Sequence, residues 1–235
     1  MSVEFTEYSP TMIEVIKVSR NYPSDVKALI DVSISIAVGE MFFLTGMSGA
    51  GKTTLLKLIC SQEAPTKGLI EVDGKNIHTL KGKNLARIRQ KIGVAYQDFK
   101  LLTNRTVAEN VAIAMEVSYK KPLFIRDRVR DLLARLQLSD KHDTMAGELS
   151  RGEQQRVTLA RSVANSPALI LVDEPTGNLD GSTTSRVMDL LTRANHGGAT
   201  VVIATHDESI YSNTNHRIME LRNGRIHSLR GGVQL

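Results

Sequence analysis

The sequence predicts an α/β fold around a mainly parallel sheet, and three patterns along its 235 residues lead to that prediction. Short apolar runs, of the kind found in strands that are buried on both faces, recur along the chain. One of these runs leads through glycines into a helix-like pattern and then into another strand, as in a βαβ unit. The middle of the chain has apolar residues at the spacing of an amphipathic helix.

The first third of the chain is predicted to consist mainly of strands. Regular patterning begins at Ile13, so we expect residues 1–11 to be a disordered polar extension before a single domain at 12–235. A strict period of two runs from Val32 to Val38. Further patterns predict a strand, a helix and a strand at 41–45, 55–59 and 69–72. This order of strand, loop, helix and strand predicts a parallel sheet.

The middle of the chain is predicted to be a helical lobe, and the end returns to strands. Apolar residues lie on one face of a helix at Ile125, Val129, Leu132, Leu133 and Leu136. We therefore assign about 98–150 to a helical subdomain. Apolar runs at 168–172 and 200–204 predict buried strands, and Asn223-Gly224 predicts a hairpin turn.

Composition and charge exclude several classes of protein. With 41% hydrophobic and 23% charged residues the chain has ordinary globular composition, and its apolar runs fall far short of the ~18 residues of a membrane span. Its single cysteine, Cys60, cannot form an intramolecular disulfide, and Glu4 and Glu7 do not fit a secretory signal, so we expect a cytosolic location. The net charge of +5 permits contact with nucleic acid or an anionic membrane, without choosing between them.

A glycine-rich segment predicts a site for nucleotide phosphates. Gly46-Met47-Ser48-Gly49-Ala50-Gly51-Lys52-Thr53 matches the pattern G-x-x-x-x-G-K-[ST], and it lies between a predicted strand and a predicted helix. The glycines let successive backbone N–H groups surround phosphate oxygens, and the helix N-terminus adds a favourable partial charge. Lys52 can reach the outer phosphates, and Thr53 offers a hydroxyl to magnesium.

Two adjacent carboxylates follow a later strand. Asp173 and Glu174 should lie at the carboxyl edge of the sheet, where such folds bind ligands. Asp173 would hold magnesium through water, and Glu174 would orient or deprotonate the attacking water. Together with the glycine-rich segment, the pair predicts phosphoryl transfer to water.

The segment Leu149-Ser150-Arg151-Gly152-Glu153-Gln154-Gln155-Arg156 resembles the signature of the ABC ATPases. Other motifs of this family follow the same order: Gln97, Asp173-Glu174-Pro175, the D-loop-like Gly177-Asn178-Leu179-Asp180, and His206. The resemblance covers nearly the whole chain after the extension. It implies a P-loop NTPase fold of the ABC ATPase type, with a mainly parallel core sheet, an antiparallel β subdomain and a helical lobe.

The resemblance also implies a role for each motif residue. Glu174, His206, Gln97 and Lys52 would be catalytic, with Gln97 also the hinge to the helical lobe. Thr53, Gln97 and Asp173 would bind Mg²⁺. ATP would contact Tyr22, stacked on adenine, and Gly46, Ser48, Gly49, Ala50, Gly51, Lys52, Thr53, Thr54, Ser150, Gly152, Glu153 and Asp180. Because Ser150 and Gly152 would contact the γ-phosphate bound by a second protomer, a homodimer that encloses two ATP molecules head to tail is implied.

The signature departs from the family pattern at Arg151, where glycine is usual. If the backbone there needs a positive φ, arginine costs on the order of 1 kcal/mol. We expect ATP binding to survive. Contact of the Arg151 guanidinium with the opposing γ-phosphate is a hypothesis.

Within this family the chain is most similar to the bacterial cell-division ATPases of the FtsE type. The similarity rests on a set of short segments: residues 43–46 with the following 48–52, and residues 55–60, 101–102, 105–107, 110–112 and 231–233. Ala50 and Arg105-Thr106-Val107 favour this branch. ATPases of lipoprotein release and of macrolide-type efflux share the segment 176–180 and are the alternative.

The branch implies partners and a location. The chain would bind an FtsX-like integral membrane protein at the cytoplasmic face of the bacterial inner membrane, at the division septum. Closure of the ATP-bound dimer would act through that protein on a periplasmic peptidoglycan hydrolase or its activator. Phe99, Leu101 and Leu102 are candidates for the docking surface, with ordinary lobe core as the alternative.

Two other classes of ABC protein are alternative interpretations of the sequence. A nucleic-acid-handling ATPase would usually carry a long coiled-coil insertion or a second cassette, and neither fits this chain, so no nucleic acid is expected. A regulatory subunit that scarcely hydrolyses ATP is disfavoured because Glu174 and His206 are present.

Overall fold

A computed structural model describes residues 10–23, 25–177 and 179–231. Most of the predicted extension (1–9), Asn178 of the D-loop-like motif and Gly232-Val233 lie outside the described residues. The described helices and strands are β1 (Thr11–Asn21), β2 (Lys27–Ala37), β3 (Met41–Thr45), α1 (Lys52–Ile59), β4 (Lys67–Val72), β5 (Lys75–Asn76), α2 (Gly82–Gln90), β6 (Ile92–Ala95), α3 (Val107–Glu116), α4 (Pro122–Arg135), α5 (Arg151–Ala164), β7 (Leu169–Asp173), α6 (Gly181–His196), β8 (Thr200–Thr205), β9 (Arg217–Arg222) and β10 (Arg225–Arg230).

These strands form two sheets, as the predicted fold class requires. The larger has the order β10-β9-β3-β8-β7-β6, in which β9, β3, β8, β7 and β6 run parallel and β10 is antiparallel at one edge. The smaller has the order β2-β1-β4-β5 and is antiparallel throughout. The α/β fold with a mainly parallel core sheet and an antiparallel β subdomain is therefore confirmed.

One local prediction about the parallel sheet was wrong. The strand after α1 does not extend that sheet, because β4 pairs antiparallel with β1, with Val72 opposite Ile13. The parallel neighbours of β3 are β8 and β9 instead. Gly68 at the start of β4 explains the close pairing, since a Cβ there would clash with the carbonyl oxygens of Ile16 and Lys17. The predicted strand at 32–38 also extends one residue too far, because β2 ends at Ala37 and Val38 is exposed.

The core consists of two layers on opposite faces of the parallel sheet. Alternate residues of β3 point to different layers because side chains alternate along a strand. Phe43 packs with α3, α4, α5 and α6, whereas Phe42 packs with α1 and the antiparallel sheet. The sheet is thus covered on both faces, which explains the continuous apolar runs of β3, β7 and β8.

The predicted helix and hairpin are both observed. In α4, Val129, Leu132 and Leu133 are buried and Ile125 is partly buried. The β9–β10 turn has left-handed backbone at both central residues of Asn223-Gly224, as a two-residue type I′ turn requires. Helices α3 and α4 fall within 98–150, and the division into a lobe and a single domain at 12–235 stays a prediction. None of the helices among the described residues is both long and apolar enough to cross a membrane.

Candidate active site

The glycine-rich loop joins β3 to α1 at the carboxyl edge of the parallel sheet. Gly46 and Gly51 have φ values of 135° and 109°, and Gly51 is the N-cap of α1. A Cβ at Gly46 would clash with the carbonyl oxygen of Leu221, and one at Gly51 with that of Ala28. Both positions therefore require glycine. Ala50 is buried between them, and its carbonyl oxygen accepts a hydrogen bond from Gly224 N at 3.1 Å, which fixes the loop against the β9–β10 hairpin.

Lys52 and Thr53 begin α1 and turn toward the two carboxylates. Lys52 Nζ donates to the carbonyl oxygen of Gly46 at 2.6 Å and lies 3.4 Å from Glu174 Oε1. Thr53 Oγ1 donates to Asp173 Oδ2 at 2.7 Å. Asp173 Oδ1 is buried and has no partner among the described residues, and burial raises the pKa of this carboxyl. A buried, unpartnered carboxylate oxygen beside a hydroxyl fits a hard divalent cation such as Mg²⁺.

Glu174 lies directly after β7 and is joined to the end of β8. Its backbone has the uncommon φ of 50° for a residue with a side chain, and its N–H donates to Ala204 O at 2.8 Å. Glu174 Oε1 lies 2.9 Å from His206 Nδ1. Oε2 accepts from Thr205 Oγ1 at 3.2 Å and from the backbone N–H of His206 at 3.3 Å. This network holds the carboxylate in one orientation, while His206 itself is largely exposed.

Several of these side chains border one cavity of about 710 Å³, within the usual range of ligand pockets. Sequence-predicted residues in its lining are Thr53, Gln97, Asp173, Glu174 and His206. The N-terminal part of α5 closes another side with Arg151, Gln154 and Gln155. Gln155 Nε2 donates to Glu174 O at 2.7 Å, which joins α5 to the backbone of Glu174.

The signature segment starts α5 with a reciprocal cap. Ser150 Oγ accepts from Glu153 N, and Glu153 Oε2 accepts from both Ser150 N at 2.8 Å and Ser150 Oγ at 2.7 Å. These hydrogen bonds lower the pKa of Glu153. Gly152 is the second residue of the helix. Arg151 is the first residue, with its side chain exposed and its backbone outside the left-handed region, so the condition for strain at this position is not met.

The segment after β6 carries Gln97 and continues in unusual geometry. Phe99 and Lys100 have φ values of 61° and 47°. The Arg161 guanidinium on α5 donates to both of their carbonyl oxygens, at 2.8 and 2.9 Å. Leu101 packs against the core, whereas Leu102 is 38% exposed. Of the three predicted docking residues, Leu102 therefore has the most accessible side chain.

Other predicted ligand residues lie outside the lining of this cavity. Tyr22 donates its hydroxyl to Glu63 at 2.7 Å, and the Arg20 guanidinium lies 4.7 Å from its ring centroid. Asp180 caps α6, and hydrogen bonds from Thr183 and Ser182 lower its pKa to about 2. The remaining ones are the exposed Ser48 and Gly49 and the half-buried Thr54. The roles assigned to all these residues stay predictions.

Sequence reasoning missed four side chains that organise the site. Gln155 lies in the signature segment, and Thr205 and Asp207 flank His206 in the sequence; none of them received a role, although their position in or beside a motif was a usable signal. Asp207 Oδ2 accepts from Thr176 Oγ1 at 2.9 Å, which ties the segment after Glu174 to the segment after β8. Arg161 gave no signal, because it contacts Phe99 across 62 positions of sequence.

Comparison with known proteins agrees with this geometry. The family model for ABC transporters matches residues 29–177. The cell division ATP-binding protein FtsE of Bacillus subtilis is 46% identical over 215 residues, which cover 92% of this chain and 94% of that protein. The protein of that name from Mycobacterium tuberculosis is 43% identical, again with 92% and 94% covered.

Solved structures give the same result. Two dimeric structures of an ATP-binding cassette, one of them in a post-hydrolysis state with ADP and Pi, have a TM-score of 0.88 to this chain. They are 33% and 34% identical to it, and the match covers 94% of this chain and 98% of theirs. The chain therefore belongs to the ABC transporter family of ATP-hydrolysing proteins, and within that family it is similar to the FtsE cell division ATP-binding proteins.

Proposed function

We propose that this chain is the Mg²⁺-dependent ATPase subunit of an FtsEX-like membrane complex, which uses ATP-driven dimer closure to regulate peptidoglycan hydrolysis at the septum. The observation that carries the proposal is the convergence of Lys52, Thr53, Asp173, Glu174 and His206 at the carboxyl ends of β3, β7 and β8. Its similarity to the FtsE proteins supplies the cell-division context.

The chemistry follows from the positions of the side chains. The loop N–H groups and Lys52 would hold the phosphates, and Mg²⁺ held by Thr53 and Asp173 would neutralise charge on their oxygens. Glu174 is oriented by Thr205 and His206, so it can accept a proton from a water that attacks the γ-phosphate. Lys52 now lies against Glu174 and the loop carbonyls, and bound phosphate would compete for its ammonium.

A second copy of the chain would complete the site. The N-terminus of α5 presents Ser150 and Arg151 at the surface, where the helix dipole favours an anion. The solved relatives are described as dimeric. In the proposed dimer, the γ-phosphate bound by one protomer would lie at the N-terminus of α5 in the other.

The membrane partner would dock on the segment that follows Gln97. Leu102 offers an accessible apolar side chain there, and its neighbours are fastened to α5 by Arg161. Movement of the partner would thus reach the signature helix directly. Through the partner, closure would act on a periplasmic hydrolase or its activator.

The test is recovery of the partner from native membranes with Glu174→Gln protein and ATP, because loss of the base should hold the dimer closed. Recovery of an FtsX-like protein is the expected result. Recovery of a lipoprotein-release or efflux permease would replace the division role with transport and leave the nucleotide chemistry unchanged. Leu102→Asp added to this protein should abolish recovery, whereas Leu229→Asp, at an exposed leucine of the edge strand β10, should not.

A further inference from the structure

An exposed patch on the helical side of the molecule is unexplained by ATP chemistry. It consists of the turn between α3 and α4 together with the first turn of α4, residues 119–124, and we call it the α3–α4 tip. Tyr119, Leu123 and Phe124 are 93%, 61% and 47% exposed. Side chains of this size are usually buried, so a cluster of three within six residues indicates a surface that meets another phase or molecule.

The charge beside these apolar side chains is basic and uncompensated. Lys120 and Lys121 are exposed, and within the described part of the chain neither has a carboxylate within 4.0 Å. Lys121 is the N-cap of α4, whose first turn has no acidic residue. The positive end of the helix dipole therefore adds to the lysine charges instead of being neutralised.

Exposed apolar and basic side chains continue along the same face of α4 for another two turns. Leu123, Arg126 and Arg130 are spaced i, i+3 and i+7 and are all exposed, while Val129 and Leu132 face the core. The nearby acidic side chains are Glu109, Glu116 and Asp127. Asp127 is paired with Arg126 at 3.2 Å, and Glu109 lies 3.8 Å from Arg105. Lys120, Lys121, Arg126 and Arg130 thus give the tip and the adjoining face of α4 four basic groups against three acidic ones, of which two are already paired.

From this arrangement we propose that the α3–α4 tip binds directly to the surface of an anionic lipid bilayer. Aromatic and leucine side chains that project beside lysines are suited to the interface between headgroups and acyl chains. The apolar side chains would enter the headgroup region, and the lysines would meet lipid phosphates. Lys120 Nζ lies 5.9 Å from the Phe124 ring, so the charge and the apolar group act at the same point. The contact is additional to any docking on a membrane protein.

Binding to vesicles tests the proposal without a protein partner. The purified chain should sediment with vesicles of phosphatidylglycerol and phosphatidylethanolamine, and much less with phosphatidylcholine alone, and the binding should weaken as salt rises. Lys120→Gln with Lys121→Gln should weaken binding by about 25-fold, since each charge near an anionic surface contributes about fivefold. Leu123→Ser with Phe124→Ser should weaken it by at least as much.

A matched control has the same charge change at another helix start. Lys81 and Lys83 are exposed, Lys81 is the N-cap of α2, and no large apolar side chain from 77 to 90 is exposed. Lys81→Gln with Lys83→Gln should therefore reduce vesicle binding several-fold less. Equal losses in the two pairs would mean nonspecific attraction by net charge and would overturn the proposal.

Insertion itself can be read by fluorescence because the chain has no tryptophan. Phe124→Trp should shift to shorter emission wavelength on anionic vesicles, whereas Leu229→Trp on β10 should not. No shift at position 124 would refute insertion. If the unsubstituted chain does not bind anionic vesicles, and the tip variants lose a membrane protein that the unsubstituted chain recovers from native membranes, the tip is a protein-docking surface and the lipid proposal is wrong. None of the substituted tip residues borders the nucleotide cavity, so ATPase activity should be unchanged, and failure here would leave the proposed function intact.

Discussion

The amide of Asn110 fastens the segment that carries Leu102 to the start of α3. Its side chain is fully buried. Asn110 Oδ1 accepts from Leu102 N at 2.9 Å, and Nδ2 donates to Leu102 O at 3.0 Å and to Thr106 O at 2.9 Å. Three well-formed hydrogen bonds at a net value of about 1 kcal/mol each give roughly 3 kcal/mol.

Replacing Asn110 by alanine or by aspartate distinguishes the contribution of its N–H donors from that of its side-chain volume. Asn110→Ala should lower the free energy of unfolding by about 3 kcal/mol. It leaves the carbonyl oxygens of Leu102 and Thr106 with partners, since Arg105 N and Asn110 N also donate to them. Asn110→Asp keeps the shape and the acceptor, but it turns a carboxylate oxygen toward those carbonyl oxygens. An uncompensated buried charge costs about 3–5 kcal/mol, so the aspartate variant should be the less stable of the two at neutral pH.

The pH dependence has a definite sign. Burial among carbonyl oxygens should raise the pKa of Asp at position 110 above its unfolded value of about 3.9. The penalty is then complete above the raised pKa and disappears as pH falls below about 3.9. Equilibrium unfolding in urea between pH 7 and pH 4, with hydrogen exchange of residues 98–106, measures both effects. An aspartate variant as stable as the alanine variant at pH 7 would refute the assigned role of the amide donors.

Three shorter predictions follow from the backbone and the caps. Arg151→Gly should not stabilise the protein, and should cost up to about 1 kcal/mol in urea unfolding, because Arg151 already has helical backbone; a gain would indicate strain at this position. Gly51→Ala should cost roughly 2–4 kcal/mol through both strain and a clash with Ala28, whereas Gly49→Ala, with open space around its Cβ, should cost only about 1 kcal/mol. Asp180→Ala should lower the Tm by an amount that is constant above pH 4 and shrinks toward pH 2, since the lowered pKa of Asp180 makes its cap effective only while it is ionised.

Much of the fold was predictable because local sequence and tertiary structure agree. The continuous apolar runs of β3, β7 and β8 reflect burial on both faces of the sheet. The glycine-rich loop was predictable because its glycines have backbone geometry that other residues would strain. The pairing of β4 was not predictable from its own pattern. A strand after a helix can join either sheet, and here β4 pairs with β1, where Gly68 permits a close approach of the two backbones.

The parts of the site that the sequence did not reveal depend on contacts between distant segments. Tyr22 was predicted to stack on adenine. Nothing in its local pattern indicated that Arg20 would lie over its ring or that Glu63 would accept a hydrogen bond from its hydroxyl. The left-handed backbone of Phe99 and Lys100 is similarly invisible in sequence, because it is held by a guanidinium 61 and 62 positions away.

Helix α5 connects these separate parts of the site. Its first turn carries Ser150 and Arg151, its second contacts the backbone of Glu174 through Gln155, and its third holds Phe99 and Lys100 through Arg161. At 1.5 Å per residue, the distance from Ser150 to Arg161 along the helix is about 16 Å. Helix α5 is packed against α3 and against β6 and β7 of the sheet. In the proposed complex, displacement of the segment after Gln97 would either shift the N-terminus of α5 or break the Arg161 hydrogen bonds. The helix would thereby connect a docked partner to the γ-phosphate of a second protomer.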